Sequence, residues 1–137
     1  MDTLAILTDI QSRLKSEIKG VGVELYPEKP STWRLNNAKG ALLIDFRGGQ
    51  FGAAKDTQAA FTERTLTFGV SIVARTLYKG FGGLDLLDKT RTALNGYCPP
   101  NCKKLLPKAE KFIGEQAGLW IFEATFETQT IELETFE

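Results

Sequence analysis

The sequence predicts an α+β fold, a two-layer sandwich in which two helices pack on one face of a mostly antiparallel sheet of about four to five strands. Several runs alternate apolar and polar residues, which is typical of strands covered on one face. Two other segments repeat their apolar residues every three or four positions, as amphipathic helices do. Because each helix has one apolar stripe to bury, the two helices can cover one face of the sheet.

The first helix is expected over residues 3–19, with an apolar stripe of leucine and isoleucine. Asp2 or Thr3 can accept hydrogen bonds from the free amides at its start, and Gly20 gives a stop signal at its end. A short strand is expected next, over 21–26.

Pro27 and Pro30 break this strand, so residues 27–39 are expected to form a loop. A second strand is predicted over 41–47. The longest alternating run, over 66–75, predicts a central strand.

The second half of the chain adds a helix and two strands. Residues 84–94 return to helical spacing, with Asp85 near the start, where a carboxylate favours the helix dipole. A short strand is expected over 108–113 and a longer one over 119–132, whose apolar and polar residues alternate.

A long flexible loop is predicted over about 48–62, because its glycines and small residues show no usable periodicity. A loop of this length inside a small domain is usually functional or disordered, and both interpretations stay open. As a functional segment it supplies a candidate partner-contact loop, made of Gly48, Gly49, Gln50, Phe51, Gly52, Lys55 and Asp56.

The composition fits one domain over residues 1–137 and narrows its function. The 17 basic and 17 acidic residues cancel, and no basic stripe with interleaved aromatics is present, so no nucleic-acid partner is expected. No apolar run is long enough to span a membrane. The sequence contains no histidine, which excludes histidine-dependent nucleophiles and imidazole zinc sites and favours a protein without enzymatic activity, cofactor or metal.

The charge is unevenly distributed along the chain. Residues 112–137 contain six carboxylates and no lysine or arginine. This segment is either a solvent-exposed acidic strand or the negatively charged surface in a head-to-tail contact between copies of the chain. The second interpretation gives a candidate acidic interface face, made of Glu123, Glu127, Glu132 and Glu134.

Three local motifs favour structural over chemical roles. The glycines of segment 80–83 lack the full dinucleotide-binding pattern and predict a tight strand-to-helix connection. Cys98 and Cys102 have neither further metal ligands nor redox spacing and are expected to be free thiols. Asp45, Glu123 and Glu127 are the candidate residues of a small carboxylate-dependent hydrolase, but solvent-exposed or interface carboxylates are the simpler interpretation.

Four segments are similar to a known family. The runs Arg64–Val70 (RTLTFGV), Gly82–Asp88 (GGLDLLD), Leu94–Tyr97 (LNGY) and Gly118–Phe126 (GLWIFEATF) resemble Mu-like phage and prophage proteins linked to the tail terminators of tailed phages. The resemblance covers roughly residues 40–130. It implies helices packed on a curved antiparallel sheet and a hexameric ring, with no catalytic, cofactor-binding or metal residues.

The resemblance also implies a role and partners. A terminator would cap the tail tube as a homo-oligomeric ring, contact tube and possibly sheath proteins, and form the joint to the head connector. It would reside in the virion tail, and in the host cytoplasm during assembly. A head-tail connector or tail-completion protein of the same particle is the alternative.

Overall fold

The computed structural model describes residues 2–52 and 61–133. Helix α1 covers Thr3–Glu17 and helix α2 covers Gly83–Leu94. The strands are β1 (Gly22–Leu25), β2 (Gly40–Phe51), β3 (Phe61–Ala74), β4 (Leu106–Gln116) and β5 (Leu119–Leu133). A single 3-10 turn, Pro30–Thr32, lies between β1 and β2.

The strands form one sheet in the order β1-β2-β3-β5-β4. Three of its four pairings are antiparallel, and only β1 runs parallel to β2. Both helices pack on one face of the sheet, so the predicted α+β two-layer sandwich is confirmed. Because β1 and β2 are parallel, their connection must cross over the sheet instead of turning tightly.

The principal core lies between the helices and the sheet. Fully buried aromatic rings of β3 and β5 meet the buried stripes of both helices, and the largest of these side chains are Phe68, Phe126, Ile6, Ile10, Leu14 and Leu86. The predicted caps form as well. The Asp2 carboxylate accepts a hydrogen bond from the Leu4 amide (3.0 Å), and Gly20 adopts a φ of 91° after α1.

The predicted strand-to-helix connection at 80–83 is confirmed, and its glycines have a packing reason. A Cβ atom on Gly83 would lie 2.5 Å from Cε2 of Phe122, and one on Gly82 would lie 2.6 Å from the Lys79 carbonyl oxygen. The amide of Phe81, just before α2, donates to the Asp85 carboxylate (2.9 Å), while the first amides of the helix, at Gly83 and Leu84, donate to the Thr76 and Leu77 carbonyl oxygens (2.9 and 3.2 Å).

The predicted loop over 48–62 is too long at both ends. Gly48–Phe51 continue β2, and β3 begins at Phe61. The register of the β2–β3 pair shifts between Phe46 and Gly48, so Arg47 forms a bulge that hides the alternation while the backbone pairing continues. Residues 53–60 lie outside the described residues.

Candidate functional site

The face of the sheet opposite the helices, called here the helix-free face, carries an apolar groove of about 630 Å³. Its floor consists of Leu43, Val73 and Ile121 from the three central strands. One wall comes from the β1–β2 connection, with Tyr26 and Trp33, and the other from the β4–β5 hairpin. An apolar groove with aromatic walls is typical of sites that bind another protein or a ligand.

The β1–β2 connection builds the first wall because the parallel pairing sends it across this face. Trp33 and Leu35 pack on a small second cluster of buried residues, Ala41, Leu43 and Val73. The Arg75 guanidinium, at the end of β3, donates to the carbonyl oxygens of Leu35 (3.3 Å) and Asn37 (3.1 Å). The connection is therefore held by side-chain packing and by hydrogen bonds to its backbone.

An ion cluster lies beside the groove. The Arg47 guanidinium donates from Nε to Asp45 Oδ1 (2.7 Å) and from Nη1 to Glu123 Oε1 (2.7 Å). It lies flat on Gly69, where a Cβ atom would be 2.4 Å from Nε. Partial burial opposes the charge of Arg47, but the hydrogen bonds to the two carboxylates outweigh it, so the pKa of Arg47 is raised.

A smaller polar groove of about 390 Å³ lies on the other side of Arg47. It is lined by Gly48, Gly49, Gln50, Thr65, Thr67, Lys108 and Glu127 together with Arg47. The Lys108 ammonium lies 3.5 Å from the Glu127 carboxylate. The helix-free face thus carries, in order, an apolar groove, a fixed cation between two carboxylates, and a polar groove.

The structure divides the predicted contact loop. Gly48, Gly49 and Gln50 line the polar groove from within β2, and Phe51 ends that strand with its side chain 63% exposed. The amide of Gly52 donates to the Glu63 carbonyl (2.9 Å), so it continues the hairpin. Lys55 and Asp56 lie outside the described residues.

The predicted acidic face is only partly assembled. Glu123 and Glu127 lie on the helix-free face, each within ion-pair distance of a cation, Arg47 or Lys108. Because β5 lies between β3 and β4, these carboxylates belong to the middle of a face and not to an edge of the sheet. Glu132 belongs to β5 and pairs in register with Thr62. Glu134 lies outside the described residues.

Asp45 and Glu123, two of the three carboxylates considered for hydrolysis, are brought together on one guanidinium. Glu127 lies next to Lys108. Charge-assisted hydrogen bonds to Arg47 therefore occupy an oxygen of Asp45 and one of Glu123. The two carboxylates and the guanidinium therefore form one hydrogen-bonded, charged cluster on the helix-free face.

Sequence reasoning missed Arg47 and the aromatic wall of the apolar groove. Arg47 is separated from Glu123 by 76 positions, so no local spacing reveals their pairing. The wall was predicted only as a proline-broken loop. The signal that could have found it is the pair of aromatic residues, Tyr26 at the end of the predicted strand and Trp33 in the predicted loop.

The helix side of the molecule carries the two cysteines. Cys98 is exposed and Cys102 is half-buried, and both are free thiols, as predicted. Burial first, and then the negative charge of Asp9, raise the pKa of Cys102, which lowers its reactivity as a thiolate. Over the described residues, no group of three potential metal ligands occurs, and neither helix is long and apolar enough to cross a membrane.

A comparison with protein families shows what most of the chain is similar to. The Gp37 family model, described as Gp37 protein, matches residues 10–137, which is most of the chain. The matched region includes α2, all five strands and the residues of both grooves. No curated protein matches the chain.

Proposed function

We propose that this chain, which belongs to the Gp37 family of phage proteins, is the tail terminator of a Mu-like phage or prophage. The family is structural in type, and its members are phage proteins. In this proposal, copies of the chain assemble as a ring, with six as the expected number. The ring caps the tail tube, contacts tube and possibly sheath proteins, and forms the joint to the head connector.

The observation that carries the proposal is the composition of the helix-free face. Its apolar groove lies next to an arginine held by two carboxylates, and protein interfaces concentrate their binding energy in such combinations of aromatic pockets and fixed arginines. In this proposal, the helix-free face binds another protein without a change in its own structure. The proposed mechanism neither forms nor breaks a covalent bond.

The role is tested in a phage or prophage whose copy of this gene is deleted. A terminator mutant should make tails of uncontrolled length that do not join heads, as seen by negative-stain electron microscopy. Tails of normal length that fail to join heads would instead identify the head-tail connector or tail-completion protein. Wild-type tails and full infectivity would contradict both roles.

The groove is tested in the same system with two variants of one strand. Ile113 is 50% exposed and lines the apolar groove, whereas Leu106 is 57% exposed on the same strand and is not among the residues lining it. We expect Ile113→Glu to lower the yield of infectious particles at least roughly tenfold, since it places a charge in a desolvated contact. The matched control Leu106→Glu should retain a near-normal yield, and equal yields for the two would exclude the groove as the docking site.

A further inference from the structure

A cluster of cations, called here the basic end, lies at one end of the sheet, where β3 stops and α2 begins. Lys39 and Lys89 place their ammonium groups 4.0 and 4.2 Å from the centre of the Phe81 ring. A Cβ atom on Gly20, the neighbour of Lys19, would lie 3.7 Å from the Lys39 ammonium. The Lys39 ammonium therefore lies beside the backbone at Gly20, directly after Lys19, and the same Phe81 ring lies 3.4 Å from that Cβ position.

Two more cations complete the basic end. Lys79 is exposed in the turn that contains Phe81, where its carbonyl accepts from the Gly82 amide (2.8 Å). Arg75 is bound to backbone carbonyls of the β1–β2 connection, so its charge is not cancelled there by a carboxylate. In the described residues, Asp85, 3.0 Å from Lys89, is the one carboxylate in an ion pair with these five cations.

From this imbalance we infer that the basic end binds the acidic segment 132–137 of a second copy of this chain. The segment, ELETFE, carries three carboxylates, Glu132, Glu134 and Glu137, and no basic residue. The basic end of one copy, with five cations and one paired carboxylate, thus faces three carboxylates of the second copy. Opposite electrostatic potentials of this kind steer and orient association. The inference deepens the proposed function, because it supplies a contact between neighbouring copies of the ring.

The length of the strands requires that the contact be made between copies. Strand β3 is 14 residues long and pairs Phe61 with Leu133 at one end and Ala74 with Trp120 at the other. Its ends are roughly 43 Å apart at a rise of ~3.3 Å per residue. The four residues 134–137 extend at most about 14 Å. They begin at the Leu133 end, so they cannot reach the basic end of their own copy.

Such a contact joins two different surfaces and is therefore head-to-tail. Contacts of this type build rings when the rotation between copies closes and filaments when it does not. A nucleic-acid backbone is the competing partner for a basic surface. The acidic segment is favoured because the five cations occupy one end of a chain whose net charge is zero.

The first test titrates the full-length, ¹⁵N-labelled protein with the peptide TIELETFE, which corresponds to residues 130–137. We expect amide shifts around Gly20, Lys39 and Phe81 that weaken as salt is added. A control peptide with each glutamate replaced by glutamine should cause none of them. Shifts elsewhere, or no shifts with the acidic peptide, would overturn the inference.

The second test measures self-association by sedimentation, with charge-reversed variants. Lys39→Glu with Lys79→Glu should weaken association roughly tenfold or more, and so should Glu134→Lys with Glu137→Lys, because like charges then face each other. Combining all four substitutions should restore it. If the double variant unfolds, Lys79→Glu alone replaces it in the test, because this substitution does not remove a cation that contacts the Phe81 ring. Lys15→Glu with Lys104→Glu, exposed elsewhere, is the control and should associate as wild type.

Two outcomes would decide against the contact. Failure of the fourfold variant to recover association would overturn it. The contact would also be overturned if the Lys39→Glu, Lys79→Glu variant no longer bound a short DNA duplex that the wild type binds, while its self-association was unchanged. That result would assign the basic end to nucleic acid. Either outcome leaves the tail-terminator role standing, because that role is judged by tail length and head joining in the phage.

Discussion

The two faces of the sheet are built from alternate residues of the same strands, yet they are closed in different ways. On the helix side, Phe68 and Phe126 are each only 1% exposed beneath the two helices. On the helix-free face, the covering segment among residues 2–52 and 61–133 is the β1–β2 connection, and Arg47 lies over Gly69 with 30% of its side chain exposed. The difference teaches that one face supplies most of the buried core of the fold, whereas the other keeps grooves and ion pairs at the surface, which is why we propose it as the docking face.

The largest effect should come from the helix side. Phe68→Ala removes a fully buried ring that contacts Phe46 at a centroid distance of 5.6 Å. We expect a loss of about 3–5 kcal/mol in the free energy of unfolding, because the variant loses the free energy of burying the ring and also leaves a cavity in the core. Urea unfolding followed by circular dichroism measures it. A loss below about 1 kcal/mol would remove the asymmetry between the two faces.

Two glycine substitutions sharpen the same comparison. A Cβ atom on Gly83 meets the Phe122 ring, which is itself packed in the core, so Gly83→Ala should cost about 1–3 kcal/mol. The three atoms nearest to a Cβ atom on Gly69 all belong to the guanidinium end of Arg47, a 30% exposed side chain that can move aside, so Gly69→Ala should cost less than about 1 kcal/mol. The two variants are compared by urea unfolding, and a larger cost at Gly69 would reverse the assignment of the faces.

Much of this architecture is predictable from the sequence because it follows from local periodicity. The helical spacing over 84–94 locates α2 to within one residue, and the alternation over 66–75 locates the central strand but misses its start at Phe61. The continuation of β2 over 48–51 is not predicted, because Gly48 and Gly49 have no side chains that could alternate between apolar and polar. The bulge at Arg47 also shifts the register of the strand. In that stretch, backbone pairing with β3 decides the conformation instead.

The candidate site is less predictable than the fold. Glu123 and Glu127 are four positions apart in a strand, so their common face follows from a period of two. Their partners do not follow, because Arg47 and Lys108 reach them only through the strand order β2-β3-β5-β4. The apolar groove depends on the path of a connection without regular pattern, which only the parallel pairing of β1 with β2 explains.

A smaller effect is expected where the helix layer is tied together. The Tyr97 hydroxyl donates to the Asp9 carboxylate of α1 (2.6 Å), and Arg13 lies over the same ring. Tyr97→Phe should lower the free energy of unfolding by about 1 kcal/mol at neutral pH, because the carboxylate loses a hydrogen-bond donor. The measurement is again urea unfolding, with Tyr78→Phe, which is 82% exposed, as the control without effect.

The pH dependence of this effect has a definite sign. Burial, and then the hydrogen bond to Asp9, raise the pKa of Tyr97 from its ordinary value of 10.0 to about 12. The folded state therefore holds this proton more tightly than the unfolded state does. The stabilisation is complete below pH 10 and is lost as the pH rises towards 12. The difference between wild type and Tyr97→Phe should shrink over that interval, and a difference that grows there would contradict the assigned hydrogen bond.

The smallest effect on stability should come from the centre of the helix-free face. Arg47→Ala removes both ion pairs of the cluster, but its side chain is 30% exposed, and ion pairs in such positions contribute little. We expect a loss of less than about 1 kcal/mol in the free energy of unfolding, reduced further at high salt, as seen by urea unfolding at two ionic strengths. The same variant should nevertheless fail in particle assembly if the proposed docking surface is correct, because it removes the arginine beside the apolar groove. A variant that is strongly destabilised yet assembles normally would show that the cluster serves the fold instead of the partner.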